Sequence, residues 1–187
     1  MVGKNADLIK KTVVAGLCIA LSFVLPLLTA GIPEIGGALC PMHIPAFLAG
    51  AVLGPLWGGL VAFISPLMRG LILGSPIIFP RGICMAVELL VYAVSFALAL
   101  RLFPKKLPFT YISLASAMFI GRIFGGLAKA VLFAAGLLNE FGFALFISGY
   151  FVETLPGAVL QIILIPPILH ALGRSDIGLW YFPRNDK

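Results

Sequence analysis

The sequence predicts an all-α membrane protein, a compact bundle of six transmembrane helices with both termini in the cytoplasm. Three observations lead there. Of 187 residues, 61% are hydrophobic and only 11% are charged, where a water-soluble domain carries about 25% charged residues. The apolar residues come in long runs broken by proline, glycine and charge. At about 20 residues per crossing, such a chain holds several spans and leaves nothing for a soluble domain. The lysines and arginines near the span ends collect in three clusters, which an even number of crossings places on one side of the membrane.

Each span is bounded by residues that stop a helix. Helix 1 is expected from about Thr12 to Ala30, behind a polar start that contains Lys4, Asp7 and Lys10. This run is longer than a signal-peptide core and lacks a small-residue cleavage site, so it counts as a span. A Gly/Pro-rich loop follows, ending in Cys40-Pro41-Met42-His43-Ile44-Pro45, and a short helix 2 then reaches about Leu53. The turn Gly54-Pro55-Leu56-Trp57-Gly58 leads into helix 3, which runs to about Leu73 with a kink expected at Ser65-Pro66. Helix 4 is expected over roughly Gly82 to Phe103 and helix 5 over roughly Thr110 to Leu138. Helix 6 covers roughly Ala144 to Leu172, bent or broken by Pro156 and Pro166-Pro167. No long repeat or linker divides the chain, so residues 1–187 read as one domain.

Lys4, Lys10 and Lys11 precede helix 1; Arg101, Lys105 and Lys106 lie between helices 4 and 5; Arg174, Arg184 and Lys187 follow helix 6. Basic residues beside spans mark the cytoplasmic side, so the loops after helices 1, 3 and 5 face outward. The same rule accounts for the net charge of +6 without invoking nucleic acid. Cys18, Cys40 and Cys84 show no CxxC spacing. They read as small apolar packing residues rather than a disulfide framework or a zinc site.

With direction fixed, the polar side chains of the spans acquire depths, and they gather in the outer half. Arg69 lies toward the outer end of helix 3, and Glu88 stands about two turns inward of Arg81 on helix 4. Arg122 and Lys129, seven residues apart, share a face of helix 5, with Gly125-Gly126 leaving room between them. Glu153 is about two turns into helix 6, His43 opens helix 2, and Asn139 ends helix 5. A charged side chain in hydrocarbon costs about 2.5 to 3.5 kcal/mol on insertion scales, so these residues face the bundle interior or water. Arg81 reads as snorkelling to the interface. Mutual ion pairing of Glu88 and Glu153 with Arg122 and Lys129 is the structural alternative for the rest.

Their collection in one half of the membrane favours a substrate site made of His43, Arg69, Glu88, Arg122, Lys129, Asn139 and Glu153. Four outer-half cations, Arg69, Arg81, Arg122 and Lys129, outnumber Glu88 and Glu153. A small anion, or a molecule with one acidic end and several hydroxyl or amide groups, would balance them. Phe79, Tyr92, Phe124, Phe133 and Tyr150 are available as walls. His43 and His170 belong to opposite faces and cannot share a metal, and no cofactor is indicated. The chain carries no HExxH, GxSxG or Walker A motif, which argues against a hydrolase or an ATPase on this chain. On helix 1, Gly16 and Ala20 with neighbouring Ala15 make a small-residue face that admits close helix packing.

Across nearly its whole length the chain resembles the substrate-binding S components of energy-coupling factor (ECF) transporters. The resemblance rests on its size and span count and on Ala15, Gly16 and Ala20. It also rests on Pro41-Met42-His43-Ile44-Pro45 running into Gly50, Gly54-Pro55, Ser65-Pro66-Leu67 and Arg69, and on Pro76-Ile77-Ile78-Phe79-Pro80 followed by Glu88. It implies a multi-pass protein of a bacterial or archaeal cell membrane that binds a vitamin from outside beneath closing outer loops. Such a protein topples while docked on a transmembrane T component with two ATPase subunits. The resemblance assigns Ala15, Gly16 and Ala20 to T-component docking and leaves ATP hydrolysis to the partners. Pantothenate, an acid with amide and hydroxyl groups, is the first substrate expectation; pyridoxine and the hydroxymethylpyrimidine thiamin precursor are close alternatives. The rival readings are an independent proton-coupled carrier and a small intramembrane enzyme using Glu88 or Glu153 with His43.

Overall fold

The computed structural model describes residues 2–28, 38–104, 106–138, 140 and 142–173. Helix α1 is Val2–Leu27 and α2 is His43–Leu73. A π-helical turn, Ile78–Gly82, leads into α3, Ile83–Leu102. Then come α4, Leu107–Ala134, the short α5, Phe143–Ile147, a second π-helical turn, Ser148–Val152, and α6, Leu155–Gly173. No strand occurs among the described residues.

Five segments are long and apolar enough to cross a bilayer: Asp7–Leu27, His43–Leu73, Ile78–Leu102, Leu107–Ala134 and Phe143–Gly173. Six crossings were expected, and the difference lies inside α2. Its dihedrals are helical throughout except at Gly54, with φ 83° and ψ 179°, a conformation open to glycine because it lacks a Cβ. Pro55, next in line, suits the first position of a new helix. Four residues on, Gly58 lies so close to the first arm that a Cβ there would stand 2.5 Å from the Ala49 carbonyl oxygen and 2.6 Å from the Gly50 Cα. Residues nine apart on a straight helix are separated by about 13 Å, so the chain folds back at Gly54. The first arm, residues 43–53, is about 16 Å long, roughly half the hydrocarbon thickness.

Pro66, Pro166 and Pro167 are absorbed into their helices. Helical dihedrals continue through Pro66, where the Ser65 hydroxyl donates to the Val61 carbonyl at 2.7 Å. α6 runs through Pro166-Pro167, whereas the break expected near Pro156 is present: the π-helical turn Ser148–Val152 and the turn after it end where Pro156 stands in the first turn of α6. α1 starts ten residues before the expected Thr12, and α4 stops at Ala134 rather than Leu138.

The core sits between α2, α3 and α4. Phe47 and Tyr92 pack with ring centroids 4.9 Å apart, and Phe47 meets Phe96 edge-on at 5.4 Å. Leu89, Leu100, Leu114, Ile165 and Leu169 close around them. Where the driving force of water exclusion is weak, small residues let helices approach to contact distance. Here a Cβ on Gly50 would strike the Ala93 backbone, and one on Gly121 would enter the Tyr92 ring. Exposed Leu17, Leu60, Ile112, Val131 and Ile163 form the apolar exterior that a bilayer solvates.

Candidate functional site

A cavity of about 150 Å³ opens near the end of the bundle where α3 begins. Its wall draws on every element around it: Cys40 and His43 at the start of α2, Arg81 from the first π-helical turn, Glu88 and Tyr92 from α3, Arg122 and Lys129 from α4. Tyr150 from the second π-helical turn, Thr154 just after it and Gln161 on α6 complete the far side.

On the α2–α3 side the polar groups form a connected cluster. Glu88, 8% exposed, accepts a hydrogen bond from the Tyr92 hydroxyl at 2.8 Å through Oε1. His43 Nε2 stands 3.6 Å from that same oxygen, and His43 Nδ1 lies 3.0 Å from the Cys40 carbonyl. A carbonyl only accepts, so Nδ1 carries a proton and donates it to the Cys40 carbonyl. Burial pushes the Cys40 thiol up to about 12, with Glu88 adding to the rise and Arg122 opposing it. That thiol is therefore protonated near neutrality and is not a thiolate nucleophile.

On the α4 side the cations sit on aromatic faces. The Arg122 guanidinium carbon lies 5.3 Å from the Phe151 ring centroid, and Lys129 Nζ lies 4.4 Å from that of Tyr150, both within cation–π range. Neither pairs with a carboxylate among the described residues. Gly125 lies about one turn from each cation. A Cβ there would stand 3.1 Å from the Glu88 Cβ and 3.0 Å from a Tyr150 ring carbon, so bare α4 backbone leaves Glu88 and Tyr150 room to approach. The cavity thus holds Arg81, Arg122 and Lys129 against one carboxylate, Glu88.

The family model for the ECF transporter substrate-specific component matches residues 10–169. The chain belongs to this family. No curated protein and no solved structure matches it. As an S component it is a multi-pass membrane protein with a substrate-binding role in ECF transport, a transporter subunit rather than an enzyme.

Of the residues singled out from the sequence of this S component, the structure brings His43, Glu88, Arg122 and Lys129 to one cavity. Arg69 is buried elsewhere: its Nη1 donates to the Ser75 carbonyl, strapping the segment after α2 to that helix. Glu153 is exposed and is not part of the cavity wall. Asn139 lies outside the described residues. Glu88 faces His43 instead of Arg122 or Lys129, because the first arm of α2, with Gly50 against the Ala93 backbone, packs on α3. Arg81, read from the sequence as an interfacial residue, lines the cavity, as do Cys40 and Cys84, read as packing residues. Tyr92 and Tyr150 are wall residues, whereas Phe79, Phe124 and Phe133 are exposed.

Sequence reasoning missed Gln161. It lines the cavity and is 3% exposed. Its signal was available: between Thr154 and His170 it is the one strongly polar side chain in an apolar run. On the α1 face of the S component, Ala15 is buried against the α2 hairpin. Gly16 and Ala20 are exposed, and a Cβ on Gly16 would meet nothing within 4 Å.

Proposed function

We propose that this S component captures a small acidic vitamin or vitamin precursor from outside the cell, for ATP-driven uptake by a T component and two ATPase subunits. The observation that carries this reading is the cavity charge. Arg81, Arg122 and Lys129 outnumber Glu88, and neither Arg122 nor Lys129 is neutralised by a carboxylate among the described residues. Cations within a membrane-spanning bundle that face aromatic rings but no carboxylate leave a net positive charge for a ligand or water to balance. Pantothenate fits this balance better than pyridoxine or hydroxymethylpyrimidine, because it supplies a carboxylate along with amide and hydroxyl groups. His43, Glu88, Arg122 and Lys129 are the residues we assign to substrate.

The proposed topology has six passes in a bacterial or archaeal plasma membrane, with both termini cytoplasmic. The fold-back at Gly54 supports it, since it adds one reversal to the five long apolar segments. Gly16 and Ala20 form the docking face for the T component, while Ala15 supports it from within.

Mass spectrometry of small molecules that co-purify with the detergent-solubilised chain tests the substrate class; an acid is expected, and a neutral compound alone would contradict it. The docking face is tested by Gly16→Trp, which should abolish uptake in cells that supply the partner subunits while the purified variant still binds. Unchanged uptake would remove Gly16 from the interface. Uptake by this chain alone that collapses with the proton gradient would favour the carrier reading.

A further inference from the structure

Two polar side chains in the cavity, neither of them a cation, have hydrogen-bonding capacity left over: Gln161 altogether, and Glu88 at one of its two oxygens. Gln161 is 3% exposed, lines the cavity, and its amide bonds to nothing among the described residues. It is not sealed off either, since the enclosed unsatisfied side-chain atoms among the described residues are Arg69 Nε and Ser113 Oγ. The amide is therefore open to the cavity. Glu88 is buried as well, with 11% of its side chain exposed. Its Oε1 accepts from Tyr92 and faces His43, whereas its Oε2 receives no donor among the described residues.

These groups dictate what completes them. A carboxylate oxygen can only accept, while a primary amide both donates and accepts. The partner must offer a donor to Glu88 and a donor or acceptor to Gln161, which describes a hydroxyl or an amide. A second anion at this end would be repelled by Glu88, and a hydrocarbon would leave the Gln161 amide and Glu88 Oε2 unpaired, which is expensive for buried polar atoms.

We propose that Gln161 and Glu88 are the specificity-determining residues of the cavity, reading a hydroxyl- or amide-bearing head whose acidic end is held by Arg122 and Lys129. The substrate class is then a hydroxylated or amidated carboxylic acid, as distinct from a plain fatty acid or a neutral heterocycle. This deepens the reading above and rests on it.

The test is equilibrium binding to the purified full chain, with pantothenate, hexanoate and pyridoxine as probes. The wild-type chain should prefer pantothenate to hexanoate by at least about 100-fold, because two buried polar groups are satisfied by one ligand and not by the other. Gln161→Leu, close in size and apolar, should cut that preference about tenfold, and Glu88→Gln should do likewise. Thermal unfolding of the same samples separates loss of binding from loss of fold, and either variant suffices if the other does not fold. A pantothenate preference that survives both substitutions overturns the specificity assignment and leaves acid capture standing. Equal binding of pantothenate and hexanoate by the wild type has the same meaning. Pyridoxine binding without acid binding overturns both, and so does the absence of binding by all three probes.

Discussion

The cavity has a tight wall and a loose one. In the most apolar stretch of α2, 61% of residues are buried, and in Ile78–Leu102 50%, against 28% in Phe143–Gly173. On the tight side, glycines at 50 and 121 bring backbone to backbone and backbone to ring. The cluster of His43, Glu88 and Tyr92 is thereby held by neighbours that cannot give way. On the other side the chain arrives through a short helix, a π-helical turn and a further turn; it is held where Phe146 covers Gly126 and Gly157 meets the Leu39 carbonyl, whereas a Cβ on Gly149 would meet nothing within 4 Å. Tyr150, Thr154 and Gln161 belong to that side. Local stability differs across a protein according to such packing. The contrast teaches that the acceptor cluster is preorganised by packing along two long helices, while the opposite wall is held at fewer points.

Four substitutions sharpen or break that contrast. The largest effect is expected for Gly121→Leu, which forces a side chain into the space of the Tyr92 ring. It should destabilise the chain by about 3 kcal/mol or more, read as a drop in melting temperature in detergent; a small drop would mean that the tight wall yields. Next, Arg122→Ala should weaken binding of an acidic ligand by about 1.5 to 3 kcal/mol, the range for a hydrogen bond to a charged group. Unchanged affinity would take Arg122 out of the site. Thr154→Val removes the bond that Thr154 Oγ1 donates to the Tyr150 carbonyl at 2.6 Å. A cost of about 1 kcal/mol is expected, confined to faster hydrogen exchange around residues 150–158; a global loss would make the loose wall part of the cooperative core. Smallest of all, Gly149→Ala should shift stability by no more than about 0.5 kcal/mol. A loss comparable to that of Gly121→Leu would erase the difference between the walls.

Much of the architecture is legible because helix breakers are local. Gly54-Pro55 marks a reversal wherever it sits, since the preceding arm can only end there. Pro66 and Pro166 are less readable: burial in a packed face keeps them helical, and sequence does not reveal which face that is. The same limit governs the cavity. Charged residues in apolar spans reveal depth, which is why His43, Glu88, Arg122 and Lys129 could be grouped. Depth does not reveal direction around the helix axis, and Arg69 turns instead to the Ser75 carbonyl. Gln161 escaped notice because it is neutral, and a search weighted by charge passes over an amide. Glu88 beside His43 depends on the first arm of α2 packing against α3, a long-range consequence that no local pattern encodes.

The proposal that the three cations lining the cavity hold an acid is tested most directly by one comparison. It is the affinity of the purified wild-type chain for pantothenate against its primary-alcohol analogue, which keeps the amide and hydroxyls and lacks the charge. Loss of one or two charge-assisted bonds predicts at least about tenfold weaker binding of the alcohol. Equal affinity for the two would contradict an anion-binding cavity.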